Sequence, residues 1–357
     1  EGTTLHALGN IAIFQADYAR ANEYYERAIA IFREIGARAE ECNTLNNLGT
    51  IALYRGEYAQ AEAHYLYALS IAREIGHRRS ESNALGNLGI VAHYREEYAQ
   101  AIAWTEQALA IDRAIGHRQG IGRKLSSLGE SARMQGDYAR AQECYMQALA
   151  IARELGEPRS ESIALGNLGL VMLSQQDYVR AQEYYTQALA IARQLGDQDR
   201  IGYTLTGLGQ AQAGLGQFAD AIGTLQQAIA VRRQVGQLPL LMESLAALAR
   251  VHLEQGDLAT ARQVMQEVFA FVQANSLRGA NHPLQIWLTC YQVLAADHDA
   301  RAEEMLRTAF DQLRARAARI ADPMMRRAFL ENTPWHREII QAWAQRVHMS
   351  FEQTEQM

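Results

Sequence analysis

Proline and lysine are scarce in this 357-residue chain, and their scarcity narrows the possible folds and functional sites. Only five prolines occur, against the ~18 that a typical content of ~5% would give. Ala, Leu, Gln, Glu and Arg dominate and β-branched runs are few, which predicts an all-helical protein. The one lysine, Lys124, follows Arg123, so no Gly-Lys pair exists for a phosphate-binding P-loop, and a Schiff-base lysine elsewhere in the chain is excluded.

Cysteine clusters, long apolar runs and a large charge excess are also missing. Cys42, Cys144 and Cys290 are far apart with no C-x-x-C, which fits a reducing cytoplasm and small buried side chains better than disulfides or a zinc site. No apolar run reaches ~18 residues, which excludes a membrane span, and the N-terminus does not resemble a signal peptide. The net charge of −6 is spread along the chain. We therefore expect a cytoplasmic protein with no cofactor, metal, membrane or nucleic-acid partner.

An internal repeat with a 40-residue period organises about three quarters of the chain. Its clearest marker is a Leu-Gly pair, which recurs at Leu8-Gly9, Leu48-Gly49, Leu88-Gly89, Leu128-Gly129, Leu168-Gly169 and Leu208-Gly209. An aromatic residue follows each leucine after ten residues, at Tyr18, Tyr58, Tyr98, Tyr138, Tyr178 and Phe218. Seven units fill residues 1–276 without an insertion or deletion, and the chain begins at Glu1 in the middle of the pattern. We interpret it as a piece of a longer protein.

Each unit is predicted to fold as two helices, A and B. In helix A of the second unit, Leu45, Leu48 and Ala52 form an apolar stripe. A short polar break such as Gln135-Gly136-Asp137 follows, in which glycine ends helix A and aspartate caps helix B. Helix B of the fourth unit is predicted from Tyr138 to about Leu155, with Gly156 in the left-handed conformation beyond its end.

These residues resemble a tetratricopeptide repeat (TPR): Leu-Gly in helix A, Gly-Asp-Tyr at the turn, and small alanines after the tyrosine. The period of 40 residues exceeds the usual 34, as in the long-period arrays of kinesin light chains and bacterial signalling proteins. The resemblance implies an all-α, right-handed α-solenoid of seven helical hairpins, with the A helices lining the concave side. It also implies a degenerate C-terminal helical cap.

The last part of the chain, residues 277–357, departs from the period. Helices are predicted from about His282 to Ala295 and from Ala300 to Ile320, and two short ones begin at Asp322-Pro323 and Thr333-Pro334. We expect these elements to cap the open end of the array. The run from Asp322 to Asn332, with Pro334 to Glu338 after it, resembles the tail of repeat arrays in bacterial STAND-type signalling ATPases and transcription regulators. That resemblance implies an upstream NTPase domain in the parent chain.

One face of the A helices is the candidate binding site. Asn recurs just before Leu-Gly at positions 47, 87 and 167, although asparagine is unfavourable within a helix. In kinesin light chains asparagine in this slot holds peptide backbone, so the resemblance implies a ligand-binding ladder of amides. The alternative is that each asparagine bonds the neighbouring A helix and only fixes the spacing of repeats. The predicted ligand contacts are Asn43, Asn47, Tyr54, Asn83, Asn87, Tyr94, Arg123, Ser127, Glu130 and Asn167.

No catalytic motif accompanies this face, so we expect no enzymatic activity and no catalytic residues. The sequence favours a recognition module that binds a protein or an extended peptide in the concave groove. By resemblance, this module is the C-terminal sensor of a bacterial STAND-type signalling or defence ATPase. The alternative is a free-standing TPR scaffold that self-associates or bridges protein partners.

Overall fold

A computed structural model describes residues 1–347, and its regular secondary structure within them is entirely α-helical. The A helices of the seven repeats are α1 (Gly2–Phe14), α3 (Arg38–Tyr54), α5 (Arg78–Tyr94), α7 (Arg118–Met134), α9 (Pro158–Ser174), α11 (Gln198–Gly214) and α13 (Leu238–Glu254). The B helices are α2 (Tyr18–Glu34), α4 (Tyr58–Glu74), α6 (Tyr98–Ala114), α8 (Tyr138–Leu155), α10 (Tyr178–Leu195), α12 (Phe218–Val235) and α14 (Leu258–Ala274). The predicted α-solenoid of repeated hairpins is confirmed.

Four further helices follow the repeats: α15 (Pro283–Ala296), α16 (Ala302–Ala318), α17 (Pro323–Asn332) and α18 (Pro334–Val347). They share an apolar core in which Phe310 of α16 stacks on Trp343 of α18, with ring centroids 4.8 Å apart, and Ile339 is fully buried. The carboxylate of Asp322 accepts hydrogen bonds from the backbone N–H groups of Met324 and Met325, which caps α17.

The chain forms two compact units that divide near the end of α7. Unit 1 is Glu1–Ala132, and unit 2 begins at Arg133 and contains α8 to α18. Each unit is held together by contacts between successive helices. The division at residue 276 that the repeat pattern suggests stays a prediction.

Within a hairpin, the glycine of Leu-Gly lets the two helices approach closely. A Cβ on Gly49 would lie 2.5 Å from a ring carbon of Tyr65, and the same contact joins Gly169 to Tyr185. The Tyr65 and Tyr185 side chains are fully buried. In repeats one, two and five the Leu-Gly marker is therefore half of a packing pair, in which the absent side chain on helix A makes room for a tyrosine ring on helix B.

The turns follow the predicted chemistry. Gly156 ends α8 in the left-handed conformation with φ of 63°, and the Asp137 carboxylate accepts a 3.1 Å hydrogen bond from the backbone N–H of Arg140 at the start of that helix. Across the turn between repeats, the guanidinium of Arg33 lies 2.7 Å from Glu41, and Arg73 and Arg153 make the same contact with Glu81 and Glu161. These ion pairs recur at the 40-residue step and support the register of each repeat on the next.

Candidate functional site

The predicted contact residues lie at four register positions of the A helices, which we call the A-helix row. Nine of the ten belong to unit 1, and Asn167 belongs to unit 2. Asn43, Tyr54, Tyr94 and Arg123 are exposed, while Asn47, Asn83, Asn87, Ser127, Glu130 and Asn167 are half-buried. The exposed aromatic residues of the row are thus the two tyrosines at the C-terminal ends of α3 and α5.

Tyr54 and Tyr94 are held in place although they are mostly exposed. Each packs on the tyrosine that begins helix B of the preceding repeat: Tyr54 on Tyr18 with centroids 5.8 Å apart, and Tyr94 on Tyr58 at 6.0 Å with nearly parallel rings. The exposed fractions are still 62% for Tyr54 and 57% for Tyr94. Large aromatic surfaces that are both accessible and positioned in advance are typical of binding hot spots.

The asparagines bond to neighbouring repeats. The Asn47 amide donates to Asn10 Oδ1 at 3.1 Å and to the Tyr25 hydroxyl at 3.3 Å, while Tyr25 itself donates to Asn10 at 2.6 Å. Burial raises the pKa of Tyr25 to about 12, and the hydrogen bond with Asn47 offsets part of that rise. This network joins the first two repeats in the way the alternative interpretation expects.

The same pattern continues in the next repeats. The Asn87 amide donates to Asn46 Oδ1 at 3.3 Å, and the Ser80 hydroxyl donates to Asn43 Oδ1 at 3.2 Å. Asn47 and Asn87 therefore link adjacent A helices, and a role in holding peptide backbone stays a prediction for them and for Asn167.

Ser127 and Arg123 behave differently from each other. The Ser127 hydroxyl donates to the backbone carbonyl of Arg123 at 3.2 Å within α7, which satisfies that hydroxyl locally. The Arg123 side chain is exposed, and its charge is one of the causes that lower the pKa of the neighbouring Lys124. Of these two, only Arg123 presents a charge on the surface of the row.

Sequence reasoning missed a buried charge cluster in unit 1. Asp112 of α6 is fully buried, Lys124 of α7 is nearly so, and His117 Nδ1 lies 3.2 Å from Asp112 Oδ1. Burial lowers the pKa of Lys124, and the nearby Asp112 carboxylate opposes that shift. The sequence did contain a signal for this cluster. Ala72 and Ala152 occupy the repeat position at which repeat three has Asp112. This cluster sits between two repeats and is part of their packing.

Residues 1–347 contain neither a metal-binding cluster nor a membrane-spanning helix. No group of three or more His, Cys, Asp and Glu side chains is placed to hold a metal ion in that part of the chain. None of the helices described there combines the length and the apolar character that crossing a bilayer requires.

Repeated helical hairpins with a register-matched row of aromatic and amide side chains define an α-solenoid of the repeat-protein class. The chain belongs to the tetratricopeptide repeat family. One TPR family model matches residues 40–114, 120–194 and 200–274, and a second matches residues 2–35, which together make well over half of the chain. The resemblance drawn from the Leu-Gly and Gly-Asp-Tyr motifs is confirmed. Among curated proteins no sequence relative is found.

Solved structures share this fold at low sequence identity. A STAND protein with a TPR sensor from Pyrococcus horikoshii is similar with a TM-score of 0.62 and 14% identity, over 87% of this chain and 47% of that one. Aspartyl phosphate phosphatase F from Bacillus subtilis is similar with a TM-score of 0.62 and 17% identity, over 78% and 71% of the two chains. A Rap protein complexed with Competence and Sporulation Factor gives 0.60 and 12%, over 96% and 98%.

Proposed function

We propose that this protein is a non-enzymatic recognition module that binds a protein segment or an extended peptide along the A-helix row of unit 1. The observation that carries the proposal is the pair Tyr54 and Tyr94, which are exposed and yet held by ring contacts with Tyr18 and Tyr58. A ligand that covers these rings gains apolar contact area and loses little side-chain freedom in the protein, because the rings are already held. The repeat along the chain suits an extended ligand that meets one ring per repeat.

The finer proposal is that the module is the sensor of a bacterial STAND-type signalling or defence ATPase. Its support is the resemblance of residues 322–338 to the tail of such arrays, together with the fold shared with the Pyrococcus horikoshii STAND protein, which has a TPR sensor. In the parent protein, a peptide bound by unit 1 would change nucleotide turnover in an upstream NTPase domain. Unchanged turnover with the peptide bound would contradict the sensor role.

Replacing both tyrosines is expected to weaken ligand binding strongly. A random peptide library displayed on phage is selected against the whole chain, and the best peptide is then titrated by calorimetry. Each tyrosine at a hot spot contributes on the order of 2 kcal/mol, so Tyr54→Ala with Tyr94→Ala should weaken binding roughly 100-fold or more. The matched control is Tyr67→Ala, an exposed tyrosine on α4 outside the row. Equal affinities for the double variant and the control would contradict the proposal.

Tyrosines test the row better than the asparagines do. Asn87→Ala with Asn167→Ala also removes the bond from Asn87 to Asn46, so a loss of binding would be mixed with a loss of stability. Removal of the exposed Tyr54 or Tyr94 ring takes away a stacking contact at the surface, with less effect on the buried core.

The second candidate function, a self-associating scaffold, is favoured by one observation. Leu8 and Ile11 of α1 are 38% and 52% exposed. At the matching positions of α3, Leu48 and Ile51 are only 4% and 1% exposed. These apolar positions are thus buried in α3 but exposed on α1, where a second copy of the protein could cover them.

If the scaffold function is correct, light scattering will show a molecular mass that rises with protein concentration in the absence of any ligand. Ile11→Gln would then shift the population toward the monomer, whereas Val179→Gln, an exposed apolar position on α10, would leave it unchanged. A monomer at every concentration would exclude this function.

A further inference from the structure

The C-terminal segment, by which we mean α17 and the start of α18, contacts the turn between the two helices of repeat four. At the end of α17 the Asn332 amide donates to the Gly136 carbonyl at 2.9 Å, and the buried Thr333 hydroxyl lies 2.8 Å from the Tyr138 hydroxyl. These partners are almost 200 residues apart in the chain. A contact at this separation in sequence lies outside the nearest-neighbour packing that otherwise builds a repeat array.

A second contact fixes the start of α18 to repeat seven. The Arg250 guanidinium on α13 donates to both carboxylate oxygens of Glu338, at 3.0 and 3.2 Å, and the Gln292 amide donates to the same carboxylate at 3.0 Å. Arg250 occupies the register position that Thr50 and Glu130 hold in repeats two and four, within the A-helix row. The C-terminal segment therefore lies against the row itself at repeat seven.

The glycine at position 136 serves this contact as well as the left-handed turn, in which its φ is 78°. At the same position in other repeats, Ala16, Glu96 and Gln176 adopt the same left-handed backbone, with φ of 56°, 62° and 61°. A side chain is therefore compatible with the turn conformation. At Gly136 a Cβ would lie 2.5 Å from the backbone oxygen of Ala328 in α17, whereas at Gly216 it would meet nothing within 4 Å. Glycine at 136 is required by the close approach of α17.

The contact with repeat four combines polar and apolar groups, since Tyr138, Phe329 and Trp335 are all buried beside it. A small cavity remains beside it, lined by residues that include Met134, Tyr138, His282, Phe329 and Trp335. By contrast, α17 and α18 are attached to α15 and α16 through a continuous apolar core. Separation of α17 from repeat four would break the hydrogen bonds at Gly136 and Tyr138 and expose part of this apolar surface, while the four C-terminal helices could stay folded together.

Met134 relates this contact to the proposed ligand-binding row. It holds the register position in repeat four that Tyr54 and Tyr94 hold in repeats two and three. Those tyrosines are exposed, whereas Met134 is half-buried and lines the cavity beneath the C-terminal segment. The segment thus occupies the part of unit 2 that corresponds to the proposed ligand contact in unit 1.

We propose that α17 and the A–B turn of repeat four form a releasable intramolecular clasp that blocks the A-helix row of unit 2. With the clasp closed, Met134 and Tyr138 are covered by this chain's own C-terminal segment. With the clasp open, a protein segment gains access to them. The inference rests on the proposed function in that it concerns access to the same row, but it is tested on unit 2 without any ligand.

Opening of the clasp is measured by the reaction of a single introduced thiol. The full chain carries Met134→Cys, and its own three cysteines are buried, so a polymer-linked maleimide reports mainly on position 134. Gly136→Gln copies the residue that Gln176 supplies in repeat five and forces α17 away, while Gly216→Gln is the matched control at a turn that touches nothing. We expect labelling roughly tenfold faster or more in the Gly136→Gln background only, with faster hydrogen exchange in α17.

Equal labelling rates in the two glycine variants and the parent would overturn the clasp. If Gly136→Gln lowers the melting temperature far more than Gly216→Gln, a second variant is used. Asn332→Ala with Glu338→Gln removes the contacts of the C-terminal segment with Gly136 and Arg250 without changing the turn. Labelling of Met134→Cys no faster than in the parent would then reject the clasp. Because no ligand is used, these results are independent of the tyrosine variants that test the proposed function.

Discussion

Replacing Gly49 by alanine is expected to lower the free energy of unfolding by about 1–3 kcal/mol, although alanine is the better helix former. The new Cβ would lie 2.5 Å from the Tyr65 ring, whose side chain is fully buried. The ring cannot easily withdraw, because its hydroxyl is 3.1 Å from the Thr50 hydroxyl. Chemical denaturation followed by circular dichroism measures the change.

The control substitution is expected to change the free energy of unfolding in the opposite direction. Gly223 is a helical glycine of α12, and a Cβ there would meet nothing within 4 Å. Gly223→Ala should raise the free energy of unfolding by about 0.5–1 kcal/mol, because only the backbone entropy of glycine is removed. If both alanine variants stabilise the protein, the account of the Leu-Gly marker as a packing pair with the B-helix ring is wrong.

Acid is expected to destabilise unit 2 through His336. This imidazole is buried between α17 and α18, and its Nδ1 donates to the Phe329 carbonyl at 2.8 Å. Burial lowers the pKa of His336 from 6.5 to about 3, so the folded state keeps the ring neutral while the unfolded state binds a proton below pH 6.5. Stability from this group is complete above pH 6.5 and is lost as the pH falls toward 3, by about 3 kcal/mol at pH 4.

The His336 contribution is isolated by comparing variants at each pH. His336→Asn retains an N–H donor for Phe329 but does not titrate, so its stability should fall less between pH 7 and pH 4 than that of the parent. His298→Asn is the control, since His298 is exposed and its left-handed backbone suits asparagine. Comparison of the variants also cancels the pH-dependent contributions of other titrating groups. One of these is Glu243, since burial raises its pKa to about 7. Parallel pH profiles for the parent and His336→Asn would contradict the assignment.

The repeat pattern predicted the helices well because its main markers, Leu-Gly and the aromatic residue ten positions after the leucine, recur in six of the seven units. Helix B of the fourth unit was expected from Tyr138 to about Leu155, and α8 has those bounds. Turn glycines and capping aspartates act within a few residues, so local sequence determines them. The all-helical class and the TPR family followed from the same periodic residues.

Contacts that occur once could not be predicted in this way. The bond from Asn332 to Gly136 joins a non-repetitive tail to a turn almost 200 residues earlier, and no periodic signal marks it. Asparagine at position 47 had two possible partners, a ligand or a neighbouring helix, and the bond to Asn10 depends on how the folded repeats pack. The buried pair Asp112 and Lys124 was visible in the sequence only as a departure from the residues of other repeats.

The most direct test of the recognition account is a hydrogen-exchange footprint of the selected peptide on the full chain. Binding along the A-helix row should protect backbone amides in α3 and α5, around Tyr54 and Tyr94, and this protection should be lost in the double tyrosine variant. Protection confined to the B helices, or to α1 alone, would contradict the claim that the row of unit 1 is the ligand-binding surface.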